Sequence, residues 1–119
     1  MIEVNGPLDE NEYPDKPVEV TDENLGEMVQ KYPFIAIDCW SSWCIPCLAI
    51  MPIIKKLAKT YKGKVVFGEL NIAKNKEATT RFDLKAIPVL LVFKNGNLVD
   101  RLTGAYGRKT IESRLKLSK

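Results

Sequence analysis

The sequence predicts a single α/β domain, a mixed central sheet of about five strands flanked by about four helices. Three observations carry this expectation. Residues 34–40, Phe-Ile-Ala-Ile-Asp-Cys-Trp, are apolar on both parities, as befits a strand covered on both faces. From Cys44 to Tyr61 apolar residues recur at helical spacing. Further on, two apolar runs flank Asn95-Gly96, a dipeptide suited to a two-residue hairpin turn. At 119 residues, 45% of them hydrophobic and 28% charged, the chain can build one substantial core.

Taken in order, residues 1–16 read as an acidic, loosely ordered extension broken by Asn5-Gly6-Pro7, Tyr13-Pro14 and Lys16-Pro17, with only Ile2-Glu3-Val4 alternating like a strand. The domain proper spans 17–119. Val18-Glu19-Val20 is a short strand, and Thr21 or Asp22 caps a helix that runs to about Lys31 with Leu25, Met28 and Val29 inward. Tyr32-Pro33 ends it before the strand at 34–40. The next helix starts near Cys44, turns Leu48, Met51, Ile54, Leu57, Ala58 and Tyr61 to one side, and is expected to kink at Pro52. Gly63 closes it, and 65–72 form a second interior strand. A polar helix over 74–82 follows, then a hairpin of 88–93 with 98–102. A last helix over 108–117 faces inward through Ile111, Leu115 and Leu117.

Net charge is +3, unevenly distributed. Residues 1–20 hold six acids and one base, and the remaining residues hold 17 bases and 9 acids. No basic cluster has interleaved aromatics, so a nucleic-acid surface is not expected. No apolar run approaches the ~18 residues of a membrane span. The first residues lack the pattern of a secretory signal, which makes the cytoplasm the expected compartment. Three cysteines and no histidine argue against a structural zinc site and exclude histidine catalysis.

The chemistry concentrates at Trp43-Cys44-Ile45-Pro46-Cys47. A strand running into a helix sets the helix N-terminus at this pair, where unsatisfied N–H groups and the positive dipole end favour a thiolate. Cysteines three apart on a first helical turn are also close enough to bridge. Both properties suit a reversible dithiol–disulfide pair.

With these residues in place, the chain resembles the thioredoxin family from about Val18 onward. Ile37-Asp38-Cys39-Trp40-Ser41-Ser42-Trp43-Cys44-Ile45-Pro46-Cys47 is similar to the family's strand and active-site segment, and Pro52 falls at its helix kink. Leu70-Asn71-Ile72, Ala86-Ile87-Pro88-Val89, Phe93-Lys94-Asn95-Gly96 and Gly104 resemble its third strand, cis-proline loop and terminal hairpin. The resemblance implies the thioredoxin fold. It also implies Cys44 as nucleophile, Cys47 as resolving thiol and Asp38 as a buried proton shuttle behind Cys47. Trp43, Ile45, Pro46, Ile87, Pro88 and Gly104 would bind substrate, with Ile87–Pro88 cis and Ala86 and Ala105 extending the rim.

Four positions depart from the family pattern. Ile45 replaces a glycine and Leu48 a lysine, and Cys39 fills a place usually aromatic. Glu69 stands where many members carry a lysine near the buried acid; should it approach Asp38, an attraction becomes a repulsion. Cys39 reads as a small core residue and Trp40 as core or active-site support.

The function expected is reduction of disulfides in cytosolic proteins through the Cys44–Cys47 pair. No bound cofactor or metal is expected, and the partners are disulfide-containing proteins and a flavin- and NADPH-dependent thioredoxin reductase. A monomer without nucleic-acid or membrane partners completes the expectation. A redox-dependent binding module within a larger assembly is the alternative.

Overall fold

The computed structural model describes residues 12–118. Nine elements follow in the order β1 (Val18–Glu19), α1 (Leu25–Lys31), β2 (Phe34–Trp40), α2 (Ile45–Thr60), β3 (Val66–Asn71), α3 (Lys76–Arg81), β4 (Val89–Lys94), β5 (Asn97–Thr103) and α4 (Arg108–Arg114). The strands form one sheet in the order β1-β3-β2-β4-β5. β1, β3 and β2 run parallel, whereas β4 pairs antiparallel with β2 and β5 antiparallel with β4. This is the mixed sheet with four helices that the pattern predicts.

Helices cover both faces of the sheet, which is why β2 can be apolar on both parities. Ile35, Ile37 and Cys39 pack with Leu25 and Val29 of α1 and Ala78 of α3. Ala36, on the opposite parity, joins Ile54, Leu57 and Ala58 of α2 and Ile111 of α4. Asp38 shares the parity of Ala36 and so belongs to the α2 face. Every residue of β2 from Ile35 to Cys39 is buried.

Local chemistry shifts several boundaries from their expected places. α1 begins at Leu25 because Thr21 and Asn24 close on each other: the Thr21 N–H donates to Asn24 Oδ1 (2.7 Å) and the Asn24 N–H to Thr21 Oγ1 (3.2 Å). The Asp22 carboxylate instead accepts from the Glu77 and Ala78 N–H groups (3.1 and 2.9 Å), capping α3 from a distant part of the chain. α4 stops at Arg114, where Lys116 takes φ +57° and the Leu117 N–H returns to the Glu112 carbonyl (2.8 Å). On α2 the buried residues are Cys47, Ile50, Ile54, Leu57 and Ala58. Leu48, expected inward, is exposed and Met51 only half-buried, because the buried stripe passes through Cys47 and Ile50 at this end.

α2 continues through Pro52, whose missing N–H leaves the Leu48 carbonyl without its helical donor. Residues 1–11, including Ile2-Glu3-Val4 and most of the expected extension, lie outside the described residues. Within it, Tyr13 is half-buried, packs on the α1-side core and sets its ring 6.3 Å from that of Tyr32.

Candidate active site

β2 ends at Trp40, and a turn through the buried Ser41 delivers Cys44 as the N-cap of α2. The Cys44 N–H donates to the Ser41 carbonyl (3.3 Å), which holds the turn. Cys44 has extended dihedrals, φ −98° and ψ 103°, and its Sγ accepts the Cys47 N–H at 3.2 Å. A sulfur therefore occupies the place a serine or aspartate oxygen takes in an ordinary N-cap. Pro46 fits the first turn because its absent N–H would have had no partner in the helix.

Cys44 and Cys47 form a disulfide with Cα atoms 5.2 Å apart. Cys44 keeps 6% of its surface exposed and Cys47 none, so attack from outside meets Cys44. In the reduced protein the same N–H and dipole end would favour charge on the Cys44 sulfur.

The loop before β4 closes over the pair. Its Ile87–Pro88 peptide bond is cis, and the Ile87 carbonyl oxygen lies 3.9 Å from Cys44 Sγ. Gly104, at φ +121°, donates its N–H to the Pro88 carbonyl (2.8 Å) and ties the end of β5 to this loop. Around the sulfur Trp43 (69% exposed), Ile45 (78%) and Leu48 (45%) form an apolar surface, and Pro46, Ala86 and Ala105 are exposed as well. Ile87 is half-buried and Pro88 buried. Tyr106, also exposed, sits where a Cβ on Gly104 would touch its ring, an aromatic that no motif drew attention to.

Asp38 is fully buried, and neither carboxylate oxygen has a hydrogen-bond partner. Its Cα partner on β3 is Glu69. Burial first, and then the Glu69 charge, push the Asp38 carboxyl up to about 7. Glu69 is half-buried with Oε2 unpartnered, and burial raises its own pKa against the opposing pull of Lys55 on α2. Cys39 points to the other face, its Sγ 3.8 Å from the Ile37 carbonyl; burial, then the Asp38 charge, push that thiol far up despite Arg101. It is an inert core residue. Trp40 is half-buried and lines a surface cavity with Glu19, Glu69, Asn71 and Lys74, rather than belonging to the core. Among the described residues no group of three or more Cys, Asp or Glu is placed to hold a metal ion.

Comparison with known proteins gives one consistent answer. The Thioredoxin family model matches residues 16–117. Thioredoxin from Chlorobaculum thiosulfatiphilum is 33% identical over 98 residues, covering 82% of this chain and 91% of that protein. Thioredoxin from Staphylococcus haemolyticus is 38% identical over 87 residues, covering 73% and 83%. In fold, a mutant thioredoxin from Halobacterium salinarum superposes with a TM-score of 0.81 at 19% identity, over 87% of this chain and 91% of that one.

Proposed function

The chain belongs to the thioredoxin family and is a protein-disulfide oxidoreductase, and from that premise we propose how its own residues divide the work. Cys44 is the nucleophile: its thiolate attacks one sulfur of a substrate disulfide, forming a Cys44–substrate bond and expelling the other substrate sulfur as a thiolate. Asp38 then takes the proton of the Cys47 thiol. The resulting thiolate attacks Cys44 Sγ, re-forms the Cys44–Cys47 disulfide and releases the second substrate sulfur. The redox group is the chain's own cysteine pair, with no bound cofactor in the cycle.

The observation that carries this assignment is the N-cap geometry, with the Cys47 N–H on Cys44 Sγ and Cys44 the outer sulfur of the pair. Trp43, Ile45, Pro46, Ile87, Pro88 and Gly104 receive the substrate, an extended peptide lying along the Ile87 carbonyl with apolar side chains on Trp43 and Ile45. Leu48, where a charge would interrupt it, extends that apolar surface.

Disulfide-containing proteins and a thioredoxin reductase are the partners that family membership implies. A flavin- and NADPH-dependent form of that reductase, action as a monomer and a cytoplasmic setting complete the reading. In this picture 17–119 form the working domain and 1–16 its extension. No helix among the described residues is long and apolar enough to cross a membrane.

Insulin reduction with a dithiol donor tests the division of labour. Cys44→Ser abolishes turnover, and Cys47→Ser accumulates a mixed disulfide with insulin that dithiothreitol releases. Full turnover by Cys44→Ser overturns the reading.

A further inference from the structure

Three carboxylates lie in one row across the sheet. Glu19 on β1 is the Cα partner of Glu69 on β3, and Glu69 is the partner of Asp38 on β2. Paired residues of parallel strands project to the same face, here the face under α2. Along the row burial rises in order: Glu19 is exposed, Glu69 half-buried and Asp38 fully buried. A cavity of about 300 Å³ lined by Glu19, Trp40, Glu69, Asn71 and Lys74 brings solvent to the middle of the row. The inner end carries three buried oxygens without hydrogen-bond partners, both of Asp38 and Oε2 of Glu69.

The proton that Asp38 receives needs a way out. Cys47 is fully buried and Cys44, the outer residue of the pair, is only 6% exposed, a surface that a bound substrate covers. The active-site mouth is thus closed while the mixed disulfide exists.

We propose that Glu69 is the back door for this proton, taking it from Asp38 and releasing it to solvent at the β1 edge of the sheet. This rests on Asp38 being the acceptor for Cys47. The transfers balance as follows. Cys47 thiol and Asp38 carboxylate become Cys47 thiolate and Asp38 carboxylic acid. Asp38 acid and Glu69 carboxylate then exchange the proton, and Glu69 acid loses it to water. Recharging of the disulfide reverses the sequence. Glu69 acts through Asp38 and touches no reacting sulfur, so it is a positioning residue.

The surrounding charges suit the role. Lys55 on α2 favours the ionised, proton-accepting form of Glu69, while burial brings its affinity for a proton toward that of Asp38. Glu19 on β1 and Lys74 after β3 face the cavity from its exposed side. Cys39 and Arg101 act on one another from the opposite face, and Cys47 is the donor.

The test is the first-order resolution phase, followed by tryptophan fluorescence in the reduced full chain at saturating peptide disulfide. Glu69→Gln is expected to slow this phase several-fold at low buffer, and the lost rate is expected to return with increasing imidazole at fixed pH and ionic strength. The wild type should show no imidazole dependence, and Glu69→Asp should regain that independence. In an Asp38→Asn background, Glu69→Gln should change nothing further. Glu69→Lys serves in its place if Glu69→Gln does not fold.

An unslowed Glu69→Gln, or a pH profile that moves without imidazole dependence, overturns the route while leaving Asp38 as acceptor. The same slowing in the Asp38→Asn background overturns it too, since Glu69 would then act independently of Asp38. If Asp38→Asn alone resolves at the wild-type rate, the assignment of Asp38 fails and the route with it.

Discussion

Asp38→Asn should stabilise the oxidised protein, and only above the acid range. The folded state holds the Asp38 carboxyl near 7, against 3.8 for an ordinary aspartate. Below about pH 3 the acid is protonated both folded and unfolded and favours neither state. As pH rises toward 7 the unfolded chain releases this proton while the folded protein retains it, so stability falls. Above about 7 both states are ionised and the loss is complete. A displacement of this size corresponds to roughly 4 kcal/mol, a large part of the ~5–15 kcal/mol by which domains are stable.

Asparagine cannot ionise and escapes this loss, although a buried amide left without partners costs about 1–3 kcal/mol at every pH. Urea unfolding of wild type and variant at about pH 4 and about pH 8.5 separates the two effects. The constant cost cancels between the two pH values, and the variant should gain about 4 kcal/mol relative to wild type across that interval. The dependence on urea should keep its slope. A stability difference that stays within about 1 kcal/mol across the interval refutes the argument that Asp38 is held neutral by burial.

Other substitutions probe the scaffold and the sulfur. Gly68→Ala would set a Cβ 2.7 Å from Cγ2 of the fully buried Val20, so it should lower the urea midpoint by an amount equivalent to about 1–3 kcal/mol. Asp22→Ala removes the acceptor of the Glu77 and Ala78 N–H groups and should cost about 1 kcal/mol, with hydrogen exchange rising first in α3. Leu48→Lys adds a charge within a turn of Cys44. On the order of 1 kcal/mol of attraction should raise the rate of iodoacetamide alkylation of reduced Cys44 about fivefold below neutral pH; an unchanged rate would show the charge is too well solvated to matter.

The parts of this molecule legible in its sequence are those set by local geometry. The double-sided apolar pattern of β2, the helix start at Cys44, the cis bond at Ile87–Pro88 and the hairpin at Asn95-Gly96 all reflect the conformation of a few neighbouring residues or a familiar motif. Asp22 escaped because its carboxylate caps a helix 55 residues away, so local sequence supplies the residue type and not the partner. Leu48 escaped because helical periodicity identifies a stripe without saying which edge of it the sheet covers.

The pairing of Asp38 with Glu69 depends on a third kind of information, namely which strands adjoin and at what offset. Packing supplies it. Ile35 pairs with Val66 and Ala36 with Phe67, putting Ala36 and Phe67 together in the α2-side core. Side chains alternate across a strand, so a slip of one residue would send Phe67 to the other face and carry Glu69 with it. The core contacts that exclude such a slip therefore also set a carboxylate opposite Asp38. The electrostatic environment of the buried acid is in this sense a consequence of how Phe67 packs.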